Sequence, residues 1–369
     1  MNQTNKILFA VAVVVILGVI VWLARNQTPS ASVSQELKIG VLAPLTGDVS
    51  VMGERMRNAM ELAKAEVVEE DPGMDITIIY EDACFAKQTV NATQKLINVD
   101  KVPIIGGSFC LFGHVPILPI TEENKIITFN TAANPDAVLN KRYAFSTNFS
   151  IKDDAKTWVE YATKELGAKS AATMHLNTPF GQDYDKYLSE FFVEAGGTMV
   201  AHEAAAPDAR DFRAGITKIK EKNPDVVFAI HFGTPMGLFL KQAQEVGLDL
   251  PIIADYETED PTIVNVAGPA AEGVIFSSTE VDKKFQQIYQ ERYGQLPDVI
   301  AANAYDAIKL QVMAFTECNG DPDCMAGELR KVKNYRGASG TLTIQPDGST
   351  QKPKIFKTIR NGQFVTIDE

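Results

Sequence analysis

The residues best placed to do chemistry are acidic. Asp255, Glu257, Glu259 and Asp260 crowd one short stretch, and paired carboxyls of this kind can do acid–base work. A solvated acidic loop has the same composition, so position must decide between the two readings. The four histidines (His114, His175, His202 and His231) never fall at metal-ligand spacing, and hydrogen-bonded structural roles are expected for them. No GxxxxGKS or GxxxxGKT phosphate loop, no HExxH helix and no GxSxG elbow occurs. Gly106-Gly107-Ser108 follows an aliphatic run with Gly113 beyond, but the G-x-G-x-x-G spacing and an acidic ribose partner are missing. Those glycines are read as permitting a tight turn or a close backbone approach. Neither an enzyme nor a cofactor nor a metal site is expected.

Four cysteines group as Cys84 with Cys110 and Cys318 with Cys324. The second pair brackets Cys-Asn-Gly-Asp-Pro-Asp-Cys, a turn-rich loop that a disulfide could close. Zinc would need paired short spacings, so disulfides are the preferred reading. The N-terminus agrees with an oxidising compartment. Residues 7–24 carry no charge, are broken only by Gly18 and Trp22, and just reach bilayer-spanning length. They read as an uncleaved signal anchor, which the length favours, or as a signal peptide cut near Ser30-Ala31-Ser32. No cysteine lies near this segment, so a lipid-modified cysteine is excluded, and residues 26–36 form a small, polar tether.

The elements that must position the acidic stretch follow from periodicity. At 369 residues, 45% hydrophobic and 22% charged, the chain is globular and long enough for two α/β lobes. Its net charge of −12 carries no basic run, which disfavours nucleic-acid binding. Strands are predicted at 37–43, 76–80, 102–105 and 126–129, alternating with helices at 55–70, 89–99 and 115–123. A second series follows: helices at 152–166, 181–194, 212–222 and 236–246, with strands at 171–175, 198–202, 226–230, 251–254 and 273–276. This alternation calls for two mainly parallel sheets flanked by helices. Two helices, 283–293 and 299–316, then break the rhythm. Strands at 341–344, 355–359 and 364–367 form a small antiparallel finish, with a turn at Pro346-Asp347-Gly348.

In open α/β sheets, ligands sit beyond the carboxyl ends of the strands. That rule lifts Glu257 above a merely solvated acid, because its loop follows the strand at 251–254. It also nominates the loops at 46–53, 108–113, 130–134, 178–181 and 232–236. Met52, Phe109, Phe112, Phe180, Phe232 and Tyr256 in these loops would line a mostly apolar pocket with a few polar groups.

Several segments, taken in order and spacing, resemble the type I periplasmic binding proteins of the leucine/isoleucine/valine-binding kind. They are IGVLAPLTGDVSVMG, EDACFAKQ with GGSFC, TAANPDAVL, VAGPAAEGV, AANAYDAIKL and GASGTLTIQPDG, and the likeness runs from about Leu37 to about Phe364. The resemblance implies the two-lobed type I fold, with a chain that crosses the hinge three times. Residues 37–147 and 279–337 would form the first lobe, and 148–278 with 338–369 the second, after an N-terminal segment at 1–36. It supports a Cys84–Cys110 disulfide. It implies an extracytoplasmic, monomeric substrate-binding component of an ABC transporter that hands a small molecule to a permease. A sensor signalling to a membrane partner is the competing reading.

Matched by motif, the resemblance places ligand contacts at Leu111, Thr131, Ala132 and Ala133 in the first lobe, and the strand-end rule adds Met52. In the second lobe the resemblance places them at Phe180, Tyr256 and Glu257, and the strand-end rule adds Phe232. The departures are specific. Leu111 stands where the family has a serine, Ala133 where it has a threonine, and Phe180 where it has a tyrosine. The family's acid position falls on Tyr256, with Glu257 beside it. A site that loses hydroxyls loses about 1–3 kcal/mol for each ligand group left unpaired. A more apolar or differently charged ligand is therefore a live alternative to a branched-chain amino acid.

Overall fold

Strands covered on both faces need apolar side chains on both, and such strands draw the chain into two sheets. The computed structural model describes residues 35–47, 50–108, 111–132 and 135–367. The first sheet is parallel and five-stranded, in the order β2–β1–β3–β4–β5. Its strands are β1 (Gln35–Ala43), β2 (Met74–Asp82), β3 (Ile104–Ser108), β4 (Ile127–Asn130) and β5 (Ala144–Ser146). Between them run α1 (Ser50–Glu70), α2 (Ala86–Lys95) and α3 (Leu111–Glu123). Met56, Ala59, Met60 and Ala63 of α1 pack with Ile39, Ile104 and Phe129 on one face. Leu42 and Ile105 pack with Leu96 and Ile117 on the other.

The second unit comprises α4 (Ile151–Lys164), β6 (Ser170–Leu176), α5 (Pro179–Glu194), β7 (Thr198–Ala205), α6 (Arg213–Lys222), β8 (Val226–Ile230), α7 (Gly233–Val246), β9 (Ile252–Ala254), α8 (Pro261–Ala267) and β10 (Ile275–Ser278). Alternate residues of β8 go to opposite cores. Val227 and Ala229 meet α6 and α7, while Val226, Phe228 and Ile230 meet α4 and α5. After β10 the chain returns to the first unit through α9 (Lys283–Tyr293), α10 (Val299–Cys318) and α11 (Pro322–Leu329), whose Phe285, Ile308 and Leu329 join the first core. A small antiparallel sheet follows, made of β11 (Tyr335–Gly337), β12 (Gly340–Ile344) and β13 (Thr350–Gln351). Finally β14 (Ile355–Arg360) adds antiparallel to β10 and β15 (Gln363–Thr366) antiparallel to β14, completing a seven-stranded sheet.

Three expectations are corrected. The strand β5 and the helices α8 and α11 are real elements where no regular structure was expected. β12, expected in the second lobe, instead lays Leu342 and Ile344 into the first core, so the return to the second sheet comes after β13. The loop expected between Cys318 and Cys324 is in part the first turn of α11, capped by Asp321, whose carboxylate accepts from Cys324 N at 2.8 Å. The Cys318–Cys324 disulfide joins the end of α10 to that turn. Cys84 is disulfide-bonded as expected; Cys110 lies outside the described residues. Residues 7–24 also lie outside them, and among the described residues no helix is long and apolar enough to cross a membrane.

The crossings run side by side. Phe149, between β5 and α4, pairs with Thr350 of β13 in a parallel bridge, and the Thr350 hydroxyl donates to Ser146 O. First and third crossings are thereby fastened together next to the strand ends of both sheets.

Candidate ligand-binding cleft

Each nominated loop does follow the carboxyl end of a strand: β1, β3 and β4 in the first sheet, β6, β8 and β9 in the second. Two glycines let helices start hard against these ends. A Cβ on Gly53 would stand 2.0 Å from Pro44 O, and one on Gly181 would stand 2.2 Å from Leu176 O. The amino termini of α1 and α5 are thus pressed onto the ends of β1 and β6. The helix α7 begins after Phe232 with no side-chain cap, which leaves first-turn amides for another acceptor.

Met52 lies in the first turn of α1, partly exposed, instead of in a loop. Leu111 opens α3. Thr131 is fully buried; its hydroxyl donates to Met56 Sδ at 3.4 Å, and its carbonyl accepts from Asn303 Nδ2 at 3.1 Å. That hydroxyl is turned into the first core. Ala132 is buried beside it, and Ala133 lies outside the described residues. Phe180 packs inside the second unit against Tyr184 and Phe232, with ring centroids 5.1 and 5.5 Å away, and Phe232 is partly exposed. Of the aromatic pair, Phe232 is the one that can reach a ligand.

Tyr256 and Glu257 form a single 3-10 turn after β9, capped by Asp255, whose Oδ1 accepts from Glu257 N at 3.0 Å. The Tyr256 hydroxyl donates to Ala132 O at 2.9 Å, so this turn of the second unit touches the loop after β4 of the first. Glu257 is only half-buried by exposed surface, yet loss of hydration, followed by the negative charges of Asp260 and Asp298, raises its carboxyl to about 8. Asp298 caps α10 in the first unit and pairs with Arg55 of α1 at 3.1 Å. Asp255 is fully buried and raised well above the usual carboxyl range by burial, then by Glu257 and Asp154. Its Oδ2 has no hydrogen-bond partner among the described residues; the same holds for Ser108 Oγ, Thr258 Oγ1 and Thr279 Oγ1, all at or just after strand ends. An acidic field on one side, uncapped helix amides nearby and aromatic walls suit a small amphipathic molecule.

A buried network underlies the turn. Asp154 of α4 accepts from Lys354 Nζ at 2.6 Å, Tyr184 Oη at 2.8 Å and Ser277 Oγ at 2.9 Å. Lys354 Nζ also lies 3.8 Å from the centre of the Phe149 ring, which meets Tyr256 edge-on at 5.1 Å. Asn148 Nδ2 donates to the Tyr256 hydroxyl at 2.8 Å, and Phe149 and Ile300 pack with the Tyr256 ring, so these three residues support the turn; sequence reasoning missed them. Reading β5 as a strand would have placed Asn148 at a strand end.

The periplasmic binding protein family matches residues 36–363, and the chain belongs to it. The chain is 25% identical over 349 residues to Leu/Ile/Val-binding protein homolog 3 of Brucella melitensis, covering 90% of this chain and 94% of that one. Among solved structures it is similar to a leucine-binding protein from Thermotoga maritima, with a TM-score of 0.82 and 26% identity over 90% of this chain and 98% of that one. A solute-binding protein of an ABC transporter from Rhodopseudomonas palustris, in complex with 3,4-dihydroxybenzoic acid, shares the fold with a TM-score of 0.79 and 24% identity, covering 90% and 96%.

Proposed function

We propose that this chain is the extracytoplasmic substrate-binding component of an ABC transporter, closing two lobes on a small amphipathic solute of the branched-chain amino acid kind. The observation that carries the ligand class is Glu257, a half-buried carboxyl at a strand end with Asp260 and Asp298 beside it, a setting that favours a cationic group. The uncapped start of α7 offers amides to a carboxylate, and Met52 and Phe232 offer apolar contact. The names of the Brucella and Thermotoga relatives point the same way. In this reading the first lobe is residues 37–147 with 279–344 and the second is 148–278 with the closing strands. Residues 7–24 tether a monomeric receptor to the membrane, where it meets its permease. The ligand touches both lobes, because only a molecule that binds the closed state better can shift the equilibrium toward it.

A second reading keeps the receptor and changes the cargo to an aromatic acid. It is favoured by Glu257 itself, which at neutral pH is largely protonated and able to donate to a carboxylate or phenol. The likeness to the dihydroxybenzoate-binding structure is consistent with it.

A thermal-shift screen of the full chain separates the two. Ligand at a hundred times its dissociation constant adds about 2.7 kcal/mol of stability, which raises the melting temperature visibly. A rise with L-leucine, L-isoleucine or L-valine supports the first reading, and a rise only with hydroxybenzoates supports the second. No rise with any amino acid, amide, short peptide or aromatic acid contradicts both.

A further inference from the structure

Tyr256 differs from the other nominated residues because its hydroxyl is used up on partners outside its own unit. It donates to Ala132 O at 2.9 Å and accepts from Asn148 Nδ2 at 2.8 Å. The same amide donates to Ala132 O at 2.6 Å, so both lone pairs of that carbonyl are engaged. The Tyr256 ring completes a buried apolar cluster with Ala132, Phe149 and Ile300. Ala132 follows β4 and Ile300 opens α10, both in the first unit; Asn148 and Phe149 lie on the first crossing; Tyr256 follows β9 of the second sheet. One side chain therefore spans the two units. Its landing point is braced as well, since Ala132 N donates to Asn130 Oδ1 at 3.1 Å and Asn303 Nδ2 holds Thr131 O at 3.1 Å.

We propose that Tyr256 is a latch between the lobes and not a ligand contact, so that the protein supplies part of its own closing energy and, of this turn, Glu257 is the side chain left for the ligand. The proposal rests on the cleft-binding reading above. A residue that acts on the closing equilibrium changes the affinity of every ligand by one common factor, because apparent affinity scales with the fraction of molecules competent to bind. A residue that touches the ligand discriminates between ligands instead.

The test uses the full chain in detergent with cysteines introduced at Val99 and Val193, which are exposed by 70% and 59% and lie in different units. Spin labels at these sites report the interlobe distance by double electron–electron resonance in buffer without added solute. Tyr256→Phe keeps the ring and its packing, and an unchanged far-ultraviolet circular dichroism spectrum confirms the fold. The expected result is a shift of the open-to-closed ratio by about fivefold toward the longer distance, as the loss of one buried hydrogen bond implies. Ile300→Ala, which removes apolar contact from the same latch, moves the distribution in the same direction. Any solute that binds then loses affinity in Tyr256→Phe by a common factor. Identical distance distributions for wild type and Tyr256→Phe overturn the proposal, and so does an affinity loss confined to one ligand among several. The distance measurement needs no ligand, so it can fail while the receptor reading stands, and the solute screen can fail while the latch stands.

Discussion

Burial and the charges of Asp260 and Asp298 lift Glu257 to about 8 from an ordinary 4.5, so the folded protein holds a proton there that the unfolded chain has released. Between about pH 4.5 and pH 8 the native state binds more protons at this group, and stability falls as pH rises across that window. Asp255, pushed up by burial and by Glu257 itself, acts in the same direction. Glu257→Gln should therefore flatten the decline of melting temperature between about pH 5 and pH 8; a slope equal to that of the wild type would assign the titration elsewhere. For an ammonium-bearing ligand such as L-leucine, calorimetric affinity should increase from about pH 6.5 to pH 8.5 in the wild type and stay level in the variant. The acidic stretch itself was plain in the sequence. Which of its carboxyls is buried was not, because the answer depends on distant partners: Glu259 is engaged by Lys357 at 2.6 Å and Ser278 at 3.1 Å, while Asp255 has one oxygen unpaired.

The elements were largely legible because parallel strands buried on both faces must be aliphatic along their whole length. The run that became β8, VVFAI, is of this kind, β3 and β4 open on Ile104-Ile105 and Ile127, and the helices between them carry the expected apolar faces. β5 escaped notice because Ala144–Ser146 is short and has only Phe145 as a large apolar side chain. What no local pattern could show is the buried Asp154–Lys354 pair, whose members are separated by 200 positions. Burial pulls Lys354 down and Asp154 pushes it back up. Removing one partner of such a pair strands a buried charge, so Lys354→Met should cost about 3–5 kcal/mol in urea unfolding. A loss below about 1 kcal/mol would mean that Asp154 is satisfied by Tyr184 and Ser277 alone. The neighbouring Lys352, held by Asn303 at 2.6 Å and Ser339 at 2.5 Å, anchors the same crossing to the first unit.

At the scale of the whole molecule, the third crossing is fixed to both units within three positions, Lys352 on one side and Lys354 on the other. Closure must then pivot about these crossings, with Tyr256 reaching across the cleft they border. The two-sheet plan was readable in the alternation of strands and helices, and its return path after β10 through the family resemblance. The boundary near β12 was misplaced because a strand's apolar residues do not reveal which core receives them. Hydroxyls were harder still: Thr131 looked like a ligand group by position, and its side chain instead faces Met56. The most direct test of the account is isothermal titration of the full chain with L-leucine, L-isoleucine and 3,4-dihydroxybenzoate. The account predicts saturable binding of at least one of them at one site per chain, with a negative heat-capacity change as the cleft buries apolar surface. Absence of binding by these three and by every solute in the thermal screen would contradict it.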